Sequence, residues 1–96
     1  LSENCNIYDF LHDETMIAFG ADYKTTNTDL YALYQVWCSD NGLTALKRES
    51  FIGFLKSNEK KFSITYDYNI INEKGRRVRG FTGMKTLLRT SVTNGV

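Results

Sequence analysis

Four cationic residues crowd one short stretch of this 96-residue chain: Lys74, Arg76, Arg77 and Arg79. Guanidinium groups carry forked donors that match the oxygens of a phosphate, so arginines this close together point to anion binding. On an extended strand, alternation sends Arg77 and Arg79 to one face and Arg76 with Val78 to the other. A second group, Lys47, Arg48, Ser50 and Lys56, fits a helix whose start meets base edges and phosphates. There arginine suits guanine, and a serine hydroxyl takes either a base or a phosphate. The competing reading of the arginine run is an edge strand guarded by positive charge against aggregation.

Reaction chemistry has no comparable pattern. His12 is the one histidine and has no motif around it, which marks it as a surface residue rather than a ligand or an acid–base group. Cys5 and Cys38 lack metal-ligand spacing and do not form a disulfide framework, so both read as reduced thiols. Gly75, Gly80 and Gly83 do not make a phosphate-binding loop. Asp13 and Glu14 fall in an acidic stretch and read as a solvated face. The chain is therefore expected to bind rather than to catalyse, with no metal and no cofactor.

Helices and a hairpin must position the cations. Asn4 can cap a short helix from Cys5, with Ile7, Phe10 and Leu11 at i, i+3, i+4. His12 to Ala21 has no decisive period, and Asp22 to Thr25 reads as a short extended piece. Thr26-Asn27-Thr28-Asp29 then has the form of a capping box. Leu30, Leu33, Tyr34, Trp37 and Cys38 follow as an amphipathic stripe, and Gly42 supplies a left-handed stop. After a short link containing Leu46, a third helix buries Phe51, Phe54 and Leu55. Lys47, Arg48, Ser50, Ile52, Gly53 and Lys56 fall near its start or on its other side, with Ile52 and Gly53 leaving room for close approach. The aromatic series Tyr31, Tyr34, Trp37, Phe51 and Phe54 has helical spacing and reads as core, not as a base-stacking platform.

A hairpin closes the pattern. Phe62, Ile64, Tyr66 and Tyr68 alternate with polar residues, with Lys60 and Lys61 at the strand start. Residues 69–75 form a polar loop, and a second strand runs from Arg76 to about Lys85. Val78 and Phe81 have opposite parity, which calls for a bulge, and Gly80 is the natural place for it. The expected class is α+β: three helices with a helix-turn-helix, followed by a β-hairpin wing, which is the winged-helix plan. Residues 1–88 are expected to form that domain, with DNA as its ligand, and 89–96 a flexible tail.

Charge divides along the chain. Residues 1–46 hold one base, Lys24, against seven acids; residues 47–96 hold eleven bases against four acids. An acidic half joined to a basic half predicts a polyanionic partner on one side, with nucleic acid the foremost candidate. The hydrophobic share of 42% and charged share of 24% are ordinary for a folded domain, which excludes bulk disorder. No apolar run spans a bilayer, so no membrane partner is expected. The opening at Leu1 reads as a fragment or a processed form. Reduced cysteines point to a cytoplasmic setting.

The series Leu30-Tyr31-x-x-Tyr34-x-x-Trp37-Cys38-x-x-Asn41-Gly42, then Phe51-x-x-x-Leu55, then Gly75-Arg76-Arg77-x-Arg79-Gly80-Phe81-x-Gly83 resembles the C-terminal domain of phage and plasmid primase-helicases. These are relatives of the poxvirus D5-like helicase-primases of superfamily 3. The resemblance implies a winged helix that follows an ATPase domain and recognises origin DNA. It implies a monomeric fragment of a hexameric, ATP-dependent parent, in a bacterial host or a virus-infected cell. By the same resemblance the third helix would bring Lys47, Arg48, Ser50 and Lys56 to double-stranded DNA, and the wing Lys74, Arg76, Arg77 and Arg79. Lys47 stands where relatives often carry a Ser or Thr cap. Two other readings remain open. A protein-interaction winged helix would dock a replication partner or the adjacent ATPase domain through Asp9, Asp13, Glu14, Asp22 and Asp29. Recognition of single strands would use the hairpin tyrosines.

Overall fold

A computed structural model describes residues 5–87, the side chain of Cys5 excepted. The order is α1 (Cys5–Leu11), β1 (Ile17–Thr26), α2 (Asn27–Asp40), α3 (Arg48–Ser57), α4 (Glu59–Phe62), β2 (Thr65–Ile71) and β3 (Arg77–Thr86). The three strands form one antiparallel sheet in the order β1-β3-β2. The described residues thus form a mixed α/β unit of four helices and a three-stranded sheet. The expected Asn4 cap and the tail 89–96 lie outside the described residues.

Helix α2 follows its sequence signals closely. The Thr26 side chain accepts a hydrogen bond from Asp29 N, satisfying one of the free first-turn amides. Leu30, Leu33, Tyr34, Trp37 and Cys38 are all buried, and Cys38 is a free thiol. Burial raises the Cys38 pKa above the usual thiol range, which keeps it neutral and inert. At the other end Gly42 has φ +67. Leu43 N donates to Cys38 O, and Gly42 N to Ser39 O. These paired bonds are the Schellman closure, which only a residue at ease with positive φ permits.

Tyr31 and Tyr34, one turn apart on α2, clamp the link to α3. Tyr31 Oη donates to Leu46 O at 2.7 Å, and Leu46 N donates to Tyr34 Oη at 3.0 Å. Tyr34 Oη also donates to Asn6 Oδ1 on α1. Burial, foremost, pushes the Tyr34 hydroxyl pKa up to about 12, so it remains a donor. Its ring stacks on Phe51 at 4.3 Å. Lys47, the N-cap of α3, makes no side-chain cap bond. The two tyrosines therefore place the start of α3 where a cap would otherwise do so.

Several expectations are corrected. Residues 17–26, left open or given only a short extended piece, form a ten-residue edge strand. Its register slips between Phe19 and Lys24: five steps along β1 answer two along β3. Second, Lys60 and Lys61 lie on α4, not on a strand, and Phe62 ends that helix. Ser63 turns the chain at φ 58, and β2 begins only at Thr65. Third, the bulge is on β2, between Asp67 and Ile70, while Gly80 is paired on both sides, with Thr26 and Asp67. Glycine is needed at 80 because a Cβ there would lie 2.1 Å from Thr25 O. Fourth, Ile52 is buried with Phe51 and Leu55 rather than facing outward. The hairpin loop is shorter than expected because β2 runs on to Ile71. Asn72 N donates to Arg76 O, Gly75 N donates to Asn72 O, and Gly75 has φ +78. That pattern is a type I turn closed by a glycine bulge.

Asp13 is more than a solvated acid. Its Oδ1 accepts from the Thr15 hydroxyl at 2.6 Å and from Thr15 N, and its Oδ2 accepts from the Trp37 indole N–H at 2.9 Å. The Thr15 hydroxyl first, then the Thr15 amide and the Trp37 N–H, hold its pKa below the ordinary aspartate value of 3.8 against the opposing effect of burial. A carboxylate with a depressed folded-state pKa adds stability above its unfolded pKa and loses it as pH falls through the folded one. Asp13→Asn is expected to lower stability at neutral pH. The gap from wild type narrows as the pH drops below 3.8. Urea titrations at pH 7 and pH 3 check this, and an equal gap at both would contradict it.

Candidate nucleic-acid interface

All eight sequence-predicted residues are exposed: Lys47, Arg48, Ser50 and Lys56 around α3, and Lys74, Arg76, Arg77 and Arg79 on the hairpin. Arg48 and Lys56 share a groove with Asn27, Glu49, Ile52 and Gly53. Residues 48, 52 and 56 follow at i, i+4, i+8, so one ridge of α3 lines it. The Arg48 guanidinium donates to Thr28 Oγ1 in the first turn of α2 at 3.3 Å. One of its five donors is thus used, and the others remain for a ligand. A Cβ on Gly53 would meet nothing within 4 Å, so the groove is open there. Ser50 does not line this groove.

Tyrosines join α3 to the hairpin. Lys56 Nζ lies 4.6 Å from the centre of the Tyr66 ring. Tyr66 meets Tyr68 edge to face at 5.0 Å. The Arg79 guanidinium lies 5.4 Å over the Tyr68 ring. Lys56, Tyr66, Tyr68 and Arg79 therefore form one continuous cationic and aromatic face. Each cation–ring contact is worth about 0.5–1 kcal/mol at an exposed site, enough to bias a rotamer and too little to commit the cation. Tyr66 is the junction. Asn27 Nδ2 donates to its hydroxyl at 3.0 Å, Glu59 Oε2 accepts from its backbone N–H, and its ring packs on Phe81. Asn27 is buried, and its Oδ1 has no hydrogen-bond partner among the described residues.

Strand register explains which arginines join this face. Tyr66 pairs with Phe81 across the sheet, and Phe81 lies in the core against the helices. Arg79 and Arg77 share the parity of Phe81, so they continue that helix-facing side out beyond the core. Arg77 pairs with the exposed Ile71. Asn72 Oδ1 accepts from both Lys74 N and Arg76 N, which fixes the loop backbone beneath two of the cations.

Lys74 goes elsewhere. It lines a groove on the opposite sheet face with Lys24, Lys85, Ile70 and Val78. The sequence pattern groups Lys74 with the wing arginines, but the turn places it across the sheet from Arg77 and Arg79. Sequence reasoning also missed Lys24 and Lys85 as its neighbours, since nothing local ties them to the hairpin. Asn27 and Tyr66 were missed as organising residues too. The one signal for Tyr66 was its place in the alternating aromatic series, and Asn27 had only its position inside the capping box.

Among the described residues no helix is long and apolar enough to cross a membrane. No curated protein and no solved structure matches the chain. A family profile described as poxvirus D5 protein-like matches residues 2–86, a span that takes in the helices, the sheet and the whole cationic and aromatic face. By that match over nearly its full length, the chain belongs to the poxvirus D5 protein-like family.

Proposed function

We propose that this domain is a winged helix that binds double-stranded DNA, as the C-terminal module of a phage or mobile-element primase-helicase that recognises its replication origin. The element order α1-β1-α2-α3-α4-β2-β3, with β1 paired to β3 and the one-turn α4 as an addition before the hairpin, supports the winged-helix reading. In that plan α3 enters the major groove and the β2–β3 hairpin lies along the backbone. Family membership supports the replication setting, with the ATPase domain of the parent chain as neighbour and the catalytic steps residing there. The parent is read as a hexameric helicase and the present module as a monomer.

The observation that carries this function is the unbroken face from Arg48 and Lys56 through Tyr66 and Tyr68 to Arg79. Wing arginines on it neutralise phosphates and supply affinity without regard to sequence. Arg48, at the start of α3 and lightly held by Thr28, supplies sequence preference.

A labelled origin duplex and a random duplex, each titrated at two salt concentrations, test the proposal. Wild type is expected to bind both at low salt and the origin sequence more tightly. Arg48→Ala is expected to lose about fivefold to a hundredfold on the origin and much less on random DNA, the range for one bidentate base contact. If wild type binds no duplex at low salt, the proposal fails and docking of a protein partner becomes the better reading.

A further inference from the structure

Tyr68 is the most exposed large hydrophobic residue among those described, with 56% of its surface open. It lies on β2, an edge strand, at the bulge between Asp67 and Ile70. Asn69 N donates to Asp67 Oδ1, which closes the bulge on itself. Bulges re-aim side chains, and this one leaves Tyr68 outside the regular cross-strand pairing. The ring is braced nonetheless. The Tyr66 ring meets it at 87°, and the Arg79 guanidinium lies over it. An aromatic ring that is held in place, half open and topped by one guanidinium is the equipment for stacking a nucleobase.

Its position decides which nucleobase. Tyr68 sits between the α3 groove that holds Arg48 and Lys56 and the outer hairpin that holds Arg77. Under the duplex reading above, on which this step rests, those two cationic regions lie along a double helix. A base inside a duplex has both faces covered by its neighbours, so a base that reaches Tyr68 must be unpaired. We infer that Tyr68 is a stacking platform for an unpaired base, and that the domain prefers a junction of double and single strand over a continuous duplex. The acceptors are nucleobase π-faces, and the preference is tolerant of sequence because every base offers one.

The test compares three proteins, wild type, Tyr68→Ala and Tyr68→Phe, on two labelled DNAs that share the same duplex. One is blunt; the other opens into two unpaired arms and carries 2-aminopurine at the first unpaired position. Wild type is expected to bind the forked DNA about fivefold to a hundredfold more tightly, the range for one stacked base. It should also quench the 2-aminopurine. Tyr68→Ala should abolish the preference and the quenching, so that it binds the forked and the blunt DNA equally. Tyr68→Phe keeps the ring and should behave as wild type. Thermal melts confirm that both variants are folded. Equal wild-type affinity for the two DNAs overturns this inference alone. So does a Tyr68→Ala variant that weakens both equally, since the residue would then be an ordinary backbone contact. If wild type binds neither DNA, the duplex reading falls and takes this one with it.

Discussion

Replacing Arg77 and Arg79 together by alanine is expected to weaken binding to every duplex, origin or random, by about tenfold per arginine near 0.1 M salt. The reason is counterion release. Each phosphate neutralised adds about 0.9 to the slope of log K against log salt, so losing two contacts should flatten that slope by about 1.8. Both side chains are exposed, and they share the strand face that continues from Phe81 past the core. Their loss should therefore leave stability nearly unchanged, since surface changes of this kind stay within about 0.5 kcal/mol. Filter binding or fluorescence anisotropy over a salt series reads the slope directly. The expected signature contrasts with that of Arg48→Ala, which should change the ratio of origin to random binding more than the slope. An unchanged salt slope in the double variant would remove the hairpin from the interface.

Gly80→Ala should be the most damaging single methyl group in the domain. Gly80 lies on the central strand β3, flanked by Thr26 on one side and Asp67 on the other. A Cβ at this position would stand 2.1 Å from Thr25 O and 2.8 Å from the Thr26 Cα, both backbone atoms that no rotamer change can move. Relief requires β1 to shift away from β3, which would break the pairing that closes the sheet. A loss of about 3 kcal/mol or more is expected, at the upper end of overpacking effects. Against a typical total of about 5–15 kcal/mol, that leaves the domain marginal or unfolded. Gly53→Ala is the control: it sits on exposed α3 with nothing within 4 Å of its Cβ position, and it should raise stability by up to about 1 kcal/mol. Denaturant titration of the two variants decides the matter. A Gly80→Ala protein as stable as wild type would show that β1 and β3 do not approach so closely.

How far each element was legible follows from where its information lies. Helix α2 could be read almost residue by residue, because its cap, its stripe and its glycine stop are signals within a few positions of one another. Strand β1 could not. Ile17–Thr26 contains Ala18, Gly20, Ala21 and Asp22, which are poor strand formers, and its slipped register hides any alternation. Its partner lies about sixty residues away on β3. Helix α4 was masked in a similar way, because Phe62 and Ile64 continue the alternation of Tyr66 and Tyr68 into a segment that the left-handed Ser63 separates from the strand.

For the candidate interface, the sequence alone determined which residues carry positive charge, that Arg77 and Arg79 share a strand face, and that Arg48 and Lys56 ride on a helix with an apolar underside. Charge and short-range periodicity are local properties, and they survive whatever the rest of the chain does. Tertiary structure decided which of those cations meet. It joined Lys56 to Arg79 through Tyr66 and Tyr68, sent Lys74 across the sheet to Lys24 and Lys85, and made Asn27 and Tyr66 the hinge of the whole face. Those outcomes depend on strand register and on a two-residue bulge, and a shift of one residue in either would turn the same side chains to opposite sides.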